Sequence, residues 1–141
     1  MKKNHVFSLI TFLSILIVSC AESLLPPNVG DPNDPLLLKQ YYIDEISLRD
    51  AWKIRGHSTP TIGIIDSGID ITHPDLKNMI NTDLSHDFTG LNNPFVDEVG
   101  HGTFVAGIIG AEGNNNEGIC GINWKSSLVS LKISNSDSIF L

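Results

Sequence analysis

The chain has 141 residues, of which 16 are acidic and 9 basic, and its formal net charge is −7 at pH 7. This length fits one domain or a piece of one. The acidic balance, with no lysine–arginine cluster beyond Lys2 and Lys3, argues against nucleic acid as a partner and indicates only good solubility.

The N-terminal segment has the pattern of a secretory leader. Two lysines precede an apolar run from Val6 to Val18, which as a helix would span about 20 Å, less than the roughly 30 Å of a hydrocarbon core. The run ends in Ser19-Cys20, which resembles the bacterial lipobox. We therefore predict a signal peptide over 1–19, lipidation of Cys20, and an extracytoplasmic lipoprotein held to a membrane of the bacterial cell envelope. Ordinary secretion and a retained anchor are the alternatives.

The next two segments are predicted to be a tether and the start of a domain. Residues 20–38 are rich in proline, asparagine and acid, a composition that cannot build a core. The domain is predicted to occupy 39–141. Its first element is a helix that begins near Ser47, with a capped start, and ends at Gly56.

A strand, a long loop and a helix are predicted in the middle of the chain. Thr61–Ile65 is a nearly continuous apolar run, typical of a central parallel strand. Residues 81–100 show little periodicity, and a loop of that length in a compact domain is usually functional or disordered. A helix is predicted over His101–Ala111.

The last predicted element is a strand over Ser127–Ile133, where apolar and polar residues alternate in part. Strand, helix and strand form one crossover unit of a parallel sheet, which predicts an α/β fold. Because the strand over 127–133 would lose neighbours that a larger sheet provides, we expect it to have an open edge and the isolated chain to be marginally folded.

Two motifs carry the candidate chemistry. Asp66 ends the strand in I-I-D-S-G-I-D, and His101 opens the helix in G-H-G-T-F-V-A-G. The carboxyl ends of parallel strands line one crevice, so the two side chains can converge there. An acid and a histidine in this order are two members of a Ser-His-Asp triad. Taken singly, Asp66 could be a turn cap and His101 a structural histidine.

These motifs, together with the later H-P-D-L, G-I-N-W and L-V-S-L-K-I, resemble the N-terminal part of a subtilisin-like serine protease from about Gln40 to Ile133. The resemblance implies a three-layer α/β fold with a parallel sheet, of which only the N-terminal part is present. It also implies endopeptidase activity on polypeptide substrates, with Asp66 as the acid that orients the imidazole and His101 as the general base.

The sequence departs from the family pattern in two places. Phe104 stands where the family commonly has a second histidine, and no Gly-Thr-Ser-x-Ala element is present. Because the nucleophile is missing, the chain alone is expected to be inactive. The alternatives are an N-terminal part of a lipid-anchored endopeptidase, or a truncated, inactive lipoprotein remnant or binding protein. A metal-dependent hydrolase is a third.

Other polar residues near the motifs are predicted to have structural roles, since they match no zinc or di-metal spacing. The set comprises Asp70, His73, Asp75, His86 and Asp97. No cofactor is expected from it. The family resemblance leaves open a structural calcium ion at Asp75 and the turn over 114–116. Cys120, among small apolar residues, is predicted to be a buried packing residue rather than a nucleophile.

Overall fold

A computed structural model describes residues 30–54 and 59–136. The elements are a 3-10 helix (Leu37–Lys39), helices α1 (Tyr42–Glu45) and α2 (Leu48–Ile54), strands β1 (Thr61–Asp66) and β2 (His86–Asp87), helix α3 (His101–Gly110) and strand β3 (Ser127–Lys132). The chain divides into two compact units. The described residues of the larger unit are 31–49 and 59–136, and those of the smaller unit are 30 and 50–54.

Some predicted features fall outside this range. The signal peptide, Cys20 and the predicted helix end at Gly56 lie outside the described residues. The start of α2 at Leu48 and the span of α3 agree with the predicted helices to within one residue. Across residues 30–54 and 59–136, no helix is long and apolar enough to cross a membrane.

Three parallel strands form one sheet in the order β1-β3-β2. In register, Asp66 at the end of β1 pairs with Lys132 of β3, and Asp87 of β2 pairs with the same residue from the other side. The carboxyl ends of all three strands therefore meet at one edge of the sheet. The prediction of an α/β fold with a parallel sheet is confirmed.

The order of the strands differs from what we expected. β3 has a neighbour on each side, whereas β1 pairs on one side only within the described residues. Thr61, Gly63 and Ile65, which share one face of β1, are all exposed, and Ile65 is 65% exposed. The prediction of an open edge at 127–133, and of a central position for Thr61–Ile65, is wrong. The connection after α3 returns β3 between the other two strands, which the periodicity of one strand does not reveal.

The core joins the sheet, α3 and the segment that follows β1. Its buried members are Ile64, Ile69, Leu76, Ala106, Ala111 and Leu128. Gly110 allows close packing of α3 on β3, because a Cβ atom there would lie 2.9 Å from the Ser126 hydroxyl and 3.0 Å from a Leu128 methyl group. Burial of each large aliphatic side chain contributes about 1.5–3 kcal/mol. Cys120 is fully buried, as predicted.

Residues 31–38 of the predicted tether belong to the larger unit. The backbone N–H of Asn33 donates to Asn114 Oδ1 at 3.3 Å, and that of Leu36 donates to the Gly118 carbonyl at 2.9 Å. Leu37 is buried. These contacts involve residues on the N-terminal side of the predicted boundary between residues 38 and 39. The polar composition of this segment suggested that it is solvated. Its backbone N–H groups instead bind the loop that contains Asn114 and Gly118.

Candidate active site

The acid and the histidine singled out from the sequence lie side by side. Asp66 is the last residue of β1, and His101 is the first residue of α3. The His101 Nδ1 atom lies 2.9 Å from each carboxylate oxygen of Asp66. The Asp66 side chain is 8% exposed and that of His101 is 44% exposed. The two side chains therefore converge within hydrogen-bond distance, as the motifs predicted.

This geometry determines which proton the imidazole carries. A carboxylate accepts but does not donate, so Asp66 stabilises the tautomer of His101 that carries its proton on Nδ1. The second ring nitrogen, Nε2, then has the lone pair that can take a proton from a substrate or a nucleophile. A buried acid beside a half-exposed imidazole thus has the arrangement of an orienting acid and a general base.

Ser67 fixes the acid from the next position in the chain. Its backbone N–H donates to Asp66 Oδ1 at 2.7 Å. Its hydroxyl lies 3.2 Å from the same oxygen but only 2.7 Å from Asp97 Oδ1. Since a hydroxyl has one proton, the shorter contact identifies Asp97 as its main acceptor. The Gly102 N–H in turn donates to the Ser67 hydroxyl at 3.0 Å.

Asp97 lies at the N-terminus of α3. It accepts hydrogen bonds from the Gly100 N–H at 2.9 Å and from the Thr103 N–H and hydroxyl at 2.8 and 2.7 Å. Partial burial by itself raises the pKa of Asp97, but the hydrogen bonds from Thr103, Ser67 and Gly100 favour the charged form and hold the pKa below its usual value. Asp97 thus binds the turn before α3 and the first turn of that helix, and its link to Ser67 was not predicted.

The other predicted structural residues are spread over separate turns. Asp70 Oδ1 accepts from the Thr72 N–H at 2.8 Å and from its hydroxyl at 2.7 Å, and these bonds lower the pKa of Asp70. His73 Nδ1 lies 3.3 Å from the Asp75 N–H. The His86 ring packs edge-on against Phe88. These are contacts within turns and between packed rings.

A second polar site lies where the family resemblance suggested calcium. Asp75 is buried, and its two oxygens accept from Asn115 Nδ2 and from the Ile119 N–H, each at 2.9 Å. Asp34 is also buried, and its Oδ2 accepts from the Asn114 N–H at 2.8 Å. The second oxygen of Asp34 is buried and has no hydrogen-bond partner among the described residues.

The carboxylate oxygens at this second site are of the kind that bind a hard cation. Carboxylate oxygens are ligands of the type that calcium prefers, and the unsatisfied Asp34 oxygen can accept one more interaction. The Asn115 side chain turns its Nδ2 atom toward Asp75, and its Oδ1 atom accepts from the Glu117 N–H at 2.9 Å. In the described part of the chain, no group of three or more His, Cys, Asp or Glu side chains could hold a metal ion. Asp34 was missed because its local composition does not distinguish it from a solvated linker.

Comparison with known proteins identifies the family. Residues 57–139 match the family model described as Subtilase family. This chain belongs to the subtilase family. The match begins four residues before β1 and includes both Asp66 and His101, so the pair lies inside the region that defines membership.

Curated relatives of this subtilase include proteases. The chain is 44% identical to the cell wall-associated protease of Bacillus subtilis over 75 residues, which are 53% of this chain and 8% of that protein. It is 37% identical to human neuroendocrine convertase 2 over 110 residues, 64% of this chain and 17% of the convertase. With the halolysin of Haloferax mediterranei, identity is 34% over 111 residues, 75% of this chain and 21% of halolysin. The chain thus spans at most about a fifth of these relatives.

Proposed function

We propose that this chain is the acid- and base-bearing part of a serine endopeptidase that hydrolyses peptide bonds in polypeptide substrates. The observation that carries the proposal is the contact of His101 Nδ1 with Asp66 at 2.9 Å, where β1 ends and α3 begins. Membership of the subtilase family and similarity to the cell wall-associated protease of Bacillus subtilis support it.

In the proposed reaction, His101 takes the proton of a serine hydroxyl as that oxygen attacks the substrate carbonyl. It then returns the proton to the leaving amine, while Asp66 holds the ring in one orientation and stabilises the imidazolium. The serine is not found in a Gly-Thr-Ser-x-Ala context within these 141 residues. We therefore expect the chain alone to form no acyl-enzyme and to leave a fluorophosphonate probe unreacted.

The first test is the gene downstream of Leu141. A continuing reading frame that encodes Gly-Thr-Ser-x-Ala supports the endopeptidase, and its product is then assayed with peptide substrates. Asp66→Asn is expected to reduce kcat about 10⁴-fold because it favours the wrong imidazole tautomer. His86→Ala, on an exposed histidine outside the pair, is the control. A stop codon with no such element supports the alternative, an inactive lipoprotein remnant or binding protein.

We also propose that the protein is exported and held to the bacterial envelope by a lipid on Cys20. The apolar run over 6–18 and the lipobox-like Ser19-Cys20 support this. More than one acyl chain is expected on the mature cysteine, because a single chain gives only marginal anchoring. Cys20→Ala should move the protein from the membrane to the soluble fraction, whereas Cys120→Ala should not. A Cys20→Ala protein that stays on the membrane with its leader uncleaved would contradict the lipobox.

The third proposal is a structural calcium ion, which the carboxylates of Asp34 and Asp75 would hold. When bound, it supplies positive charge that compensates two buried carboxylates. The chain's own residues connect the two segments of the site, since the N–H of Asn114 donates to Asp34. The expected consequence is a more stable fold.

A further inference from the structure

We propose that Asp97 is a positioning residue that holds Asp66 and His101 together. It accepts hydrogen bonds from Ser67, which follows the acid, and from Gly100 and Thr103 on the two sides of the base. The proposal rests on the proposed function, because it concerns the geometry of that pair.

The first connection runs through Ser67 to the acid. The Ser67 hydroxyl donates to Asp97 Oδ1 at 2.7 Å, and the Ser67 N–H donates to Asp66 Oδ1 at 2.7 Å. Asp97 therefore fixes the residue whose backbone orients the carboxylate of Asp66. The same hydroxyl accepts from the Gly102 N–H at 3.0 Å, which connects the acid to the first turn of α3.

The second connection runs to the two sides of the base. Gly100 precedes His101, and Thr103 follows it by two positions. Both donate to Asp97, Gly100 to Oδ1 and Thr103 to Oδ2 through its N–H and its hydroxyl. Four donors therefore point at two oxygens. A carboxylate can accept all four bonds, whereas an amide at the same position presents an NH₂ group to some of them.

The loop that carries Asp97 is itself fixed to the sheet. Lys132 of β3 is buried, and its Nζ atom donates to the Val96 carbonyl at 2.6 Å. Ser130 of the same strand donates through its hydroxyl to the Pro94 carbonyl at 2.7 Å. A support that is itself held by the central strand can keep a catalytic pair within a narrow range of geometries. Through Asp97, the positions of Asp66 and His101 therefore depend on the position of β3.

The test measures the imidazole tautomer of His101 in the full 141-residue chain, kept in detergent because of its apolar leader. Nitrogen-15 chemical shifts of the ring give the ratio of the Nδ1–H to the Nε2–H form. Asp97→Asn should lower this ratio about tenfold, because losing one charge-assisted hydrogen bond weakens the orientation of the pair by a free energy of that order. The matched control is Asp83→Asn, the same change at an exposed aspartate, which should leave the ratio unchanged.

A second variant separates positioning from folding. Ser67→Ala removes the hydroxyl that links Asp97 to the acid but leaves the bonds of Asp97 to Thr103 in place. It should lower the tautomer ratio in the same direction, and the double variant with Asp97→Asn should lower it no further than the larger single effect. Ser67→Ala carries the test if Asp97→Asn does not fold.

The outcomes distinguish this inference from the proposed function. A wild-type His101 that is not mainly in the Nδ1–H form overturns the acid–base pair itself. A wild-type Nδ1–H form that persists in Ser67→Ala, and in every folded Asp97→Asn sample, overturns the role of Asp97 alone.

Discussion

Gly102, in the first turn of α3, lies against Asp66 with no room for a side chain. A Cβ atom at Gly102 would be 3.1 Å from the Asp66 Cβ and Oδ1 atoms, and 2.1 Å from the Gly68 carbonyl oxygen. This close approach brings the start of α3 onto the end of β1, which is what places His101 within 2.9 Å of the acid. The glycine that follows the histidine in the sequence motif is thus required by packing.

Gly102→Ala is expected to destabilise the larger unit by about 1–3 kcal/mol, because the methyl group forces helix and strand apart. Gly107→Ala, in the same helix, is the control. Its Cβ atom would meet only an Ile119 methyl at 3.6 Å, an ordinary contact. That change should stabilise by about 0.5–1 kcal/mol through helix propensity. Urea unfolding measures both, and equal effects of the two variants would contradict the packing argument.

The stability of the fold should depend on the ionisation of Asp97. Its pKa is lowered in the folded protein, so its stabilising effect is complete above the ordinary pKa of about 4 and disappears as the pH falls through the lower pKa of the folded state. We expect the free energy of unfolding to fall below about pH 4 and the fall to be smaller in Asp97→Asn. Some loss of stability at low pH should remain in Asp97→Asn, because the pKa values of Asp70 and Asp87 are also lowered.

Urea titrations at a series of pH values measure this effect. Asp83→Asn is the control, since Asp83 is exposed. If Asp97→Asn and wild type lose stability in parallel as the pH falls, the hydrogen bonds to Asp97 do not set its ionisation.

Calcium should raise the free energy of unfolding if Asp34 and Asp75 hold it. A ligand that binds only the folded state stabilises by about 2.7 kcal/mol at 100 times its Kd. Asp34→Asn should abolish most of the response to added calcium, and a chelator should have little effect on that variant. Asp83→Asn should respond like wild type. An undiminished response in Asp34→Asn would exclude Asp34 from the site.

Among the described strands, one edge of β1 has no partner, and this edge should promote self-association of the isolated chain. Exposed strand edges pair with other chains, and charged side chains on an edge oppose such pairing. Ile65→Lys, at a residue 65% exposed, is expected to reduce the association seen by sedimentation velocity. Leu38→Lys makes the same change at a residue 90% exposed and outside the sheet. If both variants act equally, general hydrophobicity rather than the edge of β1 causes the association.

Local patterns were enough to predict the main elements and the pair. A short apolar run ending in Asp66, and a histidine followed by small residues, indicated β1 and α3 to within one residue at each end. The meeting of Asp66 and His101 was also predictable, because the carboxyl ends of parallel strands share one edge. These features depend on neighbouring residues, which is why a single sequence contains them.

Only the tertiary structure showed the strand order and the hydrogen bonds between residues that are distant in the sequence. The position of β3 between β1 and β2 depends on where the chain returns to the sheet. Asp34 joins the folded unit through a bond to Asn114, 80 positions away, and Asp97 reaches Ser67 across 30 positions. Hydrogen bonds of this kind form only after folding has brought the partners together, and the residue types themselves are common in turns and linkers. Composition and periodicity therefore could not distinguish them from solvated polar residues.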